Sequence, residues 1–221
     1  DDVAIVLRGM LPYKPRTNQL SILWLISHPD DVDSAELDGY DHVYVASAPD
    51  AQRLAERANA SVSFLPQCTD TDHFTFDPEL IGRRADRLLF VGNSRSIFRD
   101  SVRWSIEQDL DIHVFGDGWE PFIKDGRLKG INVPNEVLGE LYGSSRMVLC
   151  DHWADMARMG YVSNRAFDVL AVGGRLVTDH VEGMESLLPE GSYDVFRNAE
   201  DLARIASADM AIPIEDRRRW A

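Results

Sequence analysis

Residues 161–179, "YVSNRAFDVLAVGGRLVTD", combine the start of a helix, a glycine turn and a strand. Ser163 has the side chain of an N-cap, which places Asn164 and Arg165 in the first turn. The helix dipole presents partial positive charge there, so an arginine costs on the order of a few tenths of a kcal/mol unless an anion compensates. Asp168 follows three residues later and shares a helix face with Arg165. Two arrangements fit. In one, Arg165 and Asp168 form a surface ion pair worth little. In the other, Arg165 and the amides near Asn164 face a diphosphate while Asp168 accepts hydrogen bonds from ribose hydroxyls. Gly173 and Gly174 close the helix as glycine does at C-terminal caps.

Two further strand ends carry residue types suited to a ligand. In "FVGNSRS" a strand runs into Gly92, Asn93 and Arg95, where glycine permits close backbone approach and a following helix start favours phosphate. The stretch lacks the three-glycine spacing of a dinucleotide fingerprint and the lysine of a phosphate loop, so it does not point to NAD or ATP. A glycine turn with an exposed Arg95 fits equally. In "VFGDGWEPF" Gly116 follows a strand, and this loop or the later "INVPNE" with Val133 offers a surface for a nucleobase. A tight turn with Trp119 filling the core is the alternative there.

The elements behind these loops follow from the alternation of short β-branched runs with amphipathic stretches. "VAIVL", "SILWLIS", "HVYVAS", "VSFLP", "RLLFVG", "IHVFG", "RMVLCD", "RLVTD" and "YDVF" read as strands; "DAQRLAERAN", "FRDSVRWSIEQD", "NEVLGELYGS" and "SNRAFDVLAVGG" read as helices. Such alternation predicts an α/β protein with parallel sheets, whose ligands sit at the carboxyl ends of the strands. Periodicity lapses over residues 67–86, which predicts two lobes, 1–80 and 87–221, the first short of strands. No internal repeat or low-complexity segment is present.

With 221 residues, 44% of them apolar, and five tryptophans, the chain can bury a substantial core. Its longest strongly apolar stretch, "SILWLIS", is far shorter than the about 20 residues of a membrane-spanning helix. A formal net charge of −14 repels free nucleic acid and anionic membranes, so any anion must be captured locally. Cys68 and Cys150 show no metal-type or redox-type spacing, which predicts two mostly buried free thiols and a cytoplasmic setting. The opening "DDVAIVLRG" reads as the middle of a domain, which leaves two alternatives: a longer protein trimmed at this point, or a reduced variant of the first lobe.

The stretches "EVLGELYGSSRMVLCDHW", "GYVSNRAFDVLAVGGRLVTD" and "LLPEGSYDVFRNAEDLARI" resemble the donor-binding lobe of GT-B glycosyltransferases, in particular group-1 enzymes of the spore-maturation type. "DHVYVASAPDAQRLAERANASVSFLPQCTDTDHFTF" resembles the exit from the first lobe of the same superfamily. The resemblance implies two Rossmann-like lobes, the first incomplete here, and a nucleotide sugar held by the second. Asp168 then stands at the ribose-binding acidic position, where the family pattern has glutamate. Gly160 stands where related retaining enzymes carry an acidic residue near the sugar. His28 of "LISHPDD" ends a first-lobe strand where comparable enzymes place a histidine facing the donor sugar, and it is the candidate catalytic residue.

These readings together predict a hexosyltransferase of polysaccharide biosynthesis. It would move a sugar from a nucleoside diphosphate sugar to a glycan, lipid or protein acceptor hydroxyl, with no metal ion and no cofactor. Gly92, Asn93, Arg95, Gly116, Val133, Asn164, Arg165 and Asp168 are its candidate donor-binding residues. A nucleotide-sugar epimerase and a catalytically silent nucleotide-binding or interaction domain are the alternatives.

Overall fold

The computed structural model describes residues 3–83, 85–208 and 212–221. In chain order the elements begin with β1 (Val3–Arg8), β2 (Leu20–Leu25), α1 (Ser34–Leu37), β3 (His42–Val45), α2 (Ala48–Ala55) and β4 (Ser61–Phe64). They continue with α3 (Pro78–Gly82), β5 (Ala85–Val91), α4 (Asp100–Glu107), β6 (Ile112–Phe115), β7 (Leu128–Gly130), α5 (Asn135–Ser144) and β8 (Ser145–Cys150). The last are α6 (Ala154–Met159), α7 (Asn164–Ala171), β9 (Leu176–Thr178), β10 (Tyr193–Val195), α8 (Ala199–Ser207) and α9 (Ile214–Trp220). They form two α/β units.

The first unit contains a parallel sheet in the order β1-β2-β3-β4. Strands laid down in sequence with right-handed crossovers put every connection on one face. On that face Leu23, Leu25, Val43 and Val45 pack with Leu37, Tyr40, Ala51 and Leu54. The opposite face is uncovered at the edge, where Val3, Ile5 and Leu7 of β1 are exposed. Ser47 caps α2 by accepting a hydrogen bond from the Asp50 amide.

Residues 152–163 and 181–187 belong to this first unit although they come late in the chain. The Tyr161 hydroxyl donates to Asp50 Oδ2 at 2.5 Å, both residues having no exposed surface. Ser47 Oγ donates to the Met159 carbonyl at 2.5 Å, and Arg158 pairs with Asp30 at 2.7 Å. Met156 and Tyr161 lie in the first unit's core. The expected second lobe, a continuous 87–221, is therefore corrected: these contacts tie the α6 segment to α2.

The second unit carries a six-stranded parallel sheet ordered β10-β9-β8-β5-β6-β7. β5, β6 and β7 run one way from the centre and β8, β9 and β10 the other, so the order reverses between β5 and β8. Ligand crevices of open α/β sheets form at such reversals. β8 and β9 are buried almost throughout, as strands covered on both faces require. Leu88, Phe90, Val114, Trp119, Met147, Leu149 and Val177 form the core.

The expected boundary at residues 80–87 is also corrected, since the units divide after Gln67. The Gln67 amide donates to the Ile26 and Val162 carbonyls of the first unit at 3.0 and 3.1 Å. Phe74, by contrast, stacks on Tyr142 of the second unit, ring centroids 6.2 Å apart. Of the two free thiols Cys150 is buried and Cys68, against expectation, is exposed. Among the described residues no helix is long and apolar enough to cross a membrane.

Because Tyr161 and Asp50 are both buried, Tyr161→Phe leaves a carboxylate oxygen short of a donor. The expected loss is about 1.5–3 kcal/mol, read as a lower denaturation midpoint in urea with an unchanged slope. A loss near zero would contradict the anchoring role.

Candidate functional site

In the second unit the loops after β5 and β8 meet the start of α7 at the strand-order reversal. The Arg165 guanidinium lies over the Phe90 ring at 5.2 Å. A Cβ built on Gly92 would come within 2.8 Å of Arg165 Nη2, so the missing side chain at Gly92 makes the room that the guanidinium fills. Burial opposes the Arg165 charge, but Cys150, Tyr142 and Asp151 around it outweigh burial and raise its pKa. Burial likewise pushes the Cys150 thiol up to about 11, with Arg165 acting against it.

One helical turn along, Asp168 is only 6% exposed. It accepts a hydrogen bond from Asn164 Nδ2 at 3.2 Å. Burial raises its pKa above the usual carboxylate range, opposed by Thr69, Arg165, His73 and Asn164. A solvated surface pair is therefore not the arrangement formed.

The remaining expected residues are placed unequally. Asn93 is exposed, and its side-chain oxygen accepts from the Asp117 amide at 2.9 Å, bracing one loop against the other. Arg95 is exposed in the left-handed region with φ 51°, followed by Ser96 with φ 63°, a pair of strained conformations beside the strand-order reversal. Gly116 is buried at φ 144°, where a Cβ would collide with the Gly92 carbonyl at 2.1 Å. The absent side chain lets this loop pack closely against the loop after β5. Trp119 has no exposed surface, and its indole nitrogen donates to the Gly92 carbonyl at 2.7 Å, so it fills the core. Val133 lies half-buried in the loop after β7.

His28, in the first unit, follows β2 and has a left-handed backbone, φ 54° and ψ 55°. Its ring centroid lies 6.2 Å from that of Trp153 in the same unit. Gly160 ends α6 in the left-handed conformation, φ 81°. A Cβ there would come within 2.8 Å of the Glu182 carbonyl and 3.0 Å of Ser47 Oγ. A side chain at this position would thus be strained and crowded. Among the described residues no group of three or more His, Cys, Asp or Glu is placed to hold a metal ion.

Sequence reasoning passed over a second arginine. Arg99 precedes α4, with its guanidinium 5.7 Å from the same Phe90 ring. It forms an ion pair with Asp151 just after β8, and donates to the Asp151 carbonyl at 2.8 Å. Asp151 also accepts from Ser101 Oγ at 2.6 Å. Two guanidiniums thus lie around one aromatic ring at the carboxyl end of the sheet. The signal in "FRDSV" was an arginine where an N-cap side chain is usual.

A profile of the family described as Glycosyl transferase-like matches residues 95–219. No curated protein matches the chain in sequence. Among solved structures it is similar to sucrose-phosphate synthase from Thermosynechococcus elongatus, with TM-score 0.60 and 14% identity over 86% of this chain and 58% of that one. It is similar to Anabaena HepE in complex with UDP-glucose, with TM-score 0.61 and 14% identity over 91% of this chain and 64% of that one. A trehalose-phosphate synthase from Burkholderia vietnamiensis gives TM-score 0.58 and 12% identity over 91% and 62%. The chain therefore spans about three fifths of the length of these structures. At such identities the likeness is one of fold, two Rossmann-like α/β units of the GT-B kind. With more than half its length matched by the profile, the chain belongs to the Glycosyl transferase-like family.

Proposed function

We propose that the second unit binds a nucleoside diphosphate sugar and that the protein transfers its sugar to an acceptor hydroxyl without a metal ion. The observation that carries this reading is the Arg165 guanidinium, set in the space left by Gly92 and one turn from the buried Asp168. Arg165, with the amides at the start of α7, would take the diphosphate, and Arg99 would add positive potential. Asp168 would accept from the ribose hydroxyls, a role that offsets its burial. The UDP-glucose named with HepE makes UDP the first nucleotide to test.

In transfer, the acceptor oxygen bonds to the anomeric carbon as the bond from that carbon to the diphosphate breaks. The electron pair leaves on the diphosphate, where fixed cations stabilise it. The acceptor proton passes to a base, and His28 is the residue assigned to it, provided its imidazole is neutral. A cytoplasmic setting, where nucleotide sugars are found, accords with this reading. One observation favours a second reading, a nucleotide-binding domain without transfer activity: an acidic side chain in place of Gly160 would be strained and crowded.

Calorimetric titration with UDP, GDP, dTDP and ADP is expected to show micromolar binding of one of them. A charge-assisted hydrogen bond contributes about 1.5–3 kcal/mol, so Arg165→Ala should weaken that binding about 10-fold to 150-fold. No binding of any nucleotide to folded protein would overturn the reading.

Asp168→Asn separates binding from stability. The raised folded pKa means that Asp168 penalises the fold once ionised: its contribution is most favourable below its ordinary pKa of about 4 and is lost as pH rises through the folded value. At pH 7 the variant should be at least as stable as the parent, with the difference shrinking below pH 4, while its nucleotide affinity falls. Loss of stability at pH 7 would make Asp168 a structural residue.

Sugar release or product formation with candidate acceptors decides between transferase and silent domain. For a transferase, His28→Ala should lower kcat at unchanged nucleotide Kd. An unchanged kcat would remove His28 from the chemistry.

A further inference from the structure

Away from the carboxyl ends of the strands, at the amino ends of β9 and β10, the second unit buries two guanidiniums that the proposed donor site does not use. Arg217 on α9 is 3% exposed, and its guanidinium donates to backbone carbonyls. Nη1 donates to Gly173 at 2.7 Å and Nε to Ile212 at 3.2 Å. Arg175, just ahead of β9, donates through Nε and Nη2 to Asp194 Oδ2 at 3.1 and 2.9 Å. Burial, together with repulsion from Arg175, lowers the Arg217 pKa to about 10, with no carboxylate acting to restore it. Among the described residues the cluster therefore holds two cations against one carboxylate, Asp194.

A third group is left over. Tyr193 of β10 pairs with Leu176 of β9, so Ser192 and Arg175 are the residues immediately before that pair. Ser192 is 1% exposed, and its hydroxyl has no hydrogen-bond partner among the described residues. α9 packs over this segment, since a Cβ on Gly191 would lie 3.8 Å from Trp220 Cζ2. A buried hydroxyl without a partner and an uncompensated buried cation each cost stability. One oxyanion would satisfy both, accepting from the guanidiniums and from the Ser192 hydroxyl.

We propose that Arg175, Arg217 and Ser192 form a binding site for a single phosphate-type oxyanion, at the opposite end of the sheet from the donor site. The ligand is free phosphate or the phosphoryl group of a small phosphorylated metabolite.

The probe is inorganic phosphate, titrated by calorimetry and thermal unfolding against sodium chloride at equal ionic strength. Phosphate is expected to bind and to raise Tm. Arg217→Met should weaken it at least 10-fold, while Arg165→Ala should leave it unchanged, which separates this site from the donor site. Ser192→Asp places a carboxylate beside the cations: it should raise Tm without phosphate and abolish the phosphate response, and it decides the matter if Arg217→Met does not fold. A parallel titration with a hexose phosphate assigns the ligand, tighter binding indicating a phosphorylated metabolite and equal or weaker binding free phosphate. The proposal is overturned if phosphate acts no differently from chloride. It is also overturned if binding is lost with Arg165→Ala but survives Arg217→Met, or if Ser192→Asp lowers Tm and keeps the response.

Discussion

A guanidinium carried into the rim of a parallel sheet needs room, a face to lie on and a reason to stay charged. Gly92 gives Arg165 the room, Phe90 the face, and Tyr142 and Asp151 the favourable potential. Much of the surrounding structure serves that arrangement. Gly116 lets the next loop approach the Gly92 carbonyl, Trp119 holds the same carbonyl from the core, and Asn93 ties the two loops together. The central strand end is thereby fixed from several directions before any ligand arrives, the condition under which electrostatic stabilisation needs little reorganisation.

Gly160 shows the opposite use of glycine. At Gly92 the absent side chain opens space for another residue, whereas at Gly160 it lets the chain turn closely against the Glu182 carbonyl and α2. An acidic residue could not be restored there by substitution alone, because both the backbone conformation and the neighbouring atoms oppose a Cβ. The α6 segment was thus shaped for its packing in the first unit.

The sequence marked the buried strands β8 and β9 and the half-exposed β1 alike, each as a short apolar run. β8 and β9 are runs of β-branched and large apolar residues because both their faces are covered. β7, Leu128–Gly130, went unseen because three residues containing lysine and glycine on a sheet edge carry no such pattern. The Arg165 to Asp168 spacing was legible because both lie on one helix. Arg99 was not, since its meaning depends on Asp151, 52 positions away. The membership of residues 152–163 in the first unit was equally hidden, resting on a Tyr161 to Asp50 contact across 111 positions. Local periodicity reports an element's faces and leaves unstated which distant partner each face meets.

The exposed residues of β1 bear on how copies of this chain would meet. Strand β1 pairs only with β2 among the described residues and presents Val3, Ile5 and Leu7 to solvent. A strand edge of this kind is a template for another chain. A net charge of −14 makes copies of the chain repel one another. That repulsion reaches about 10 Å at 0.1 M salt and about 3 Å at 1 M, while apolar attraction does not weaken with it. Concentrated salt therefore favours association through this strand, and dilute buffer keeps the protein dispersed.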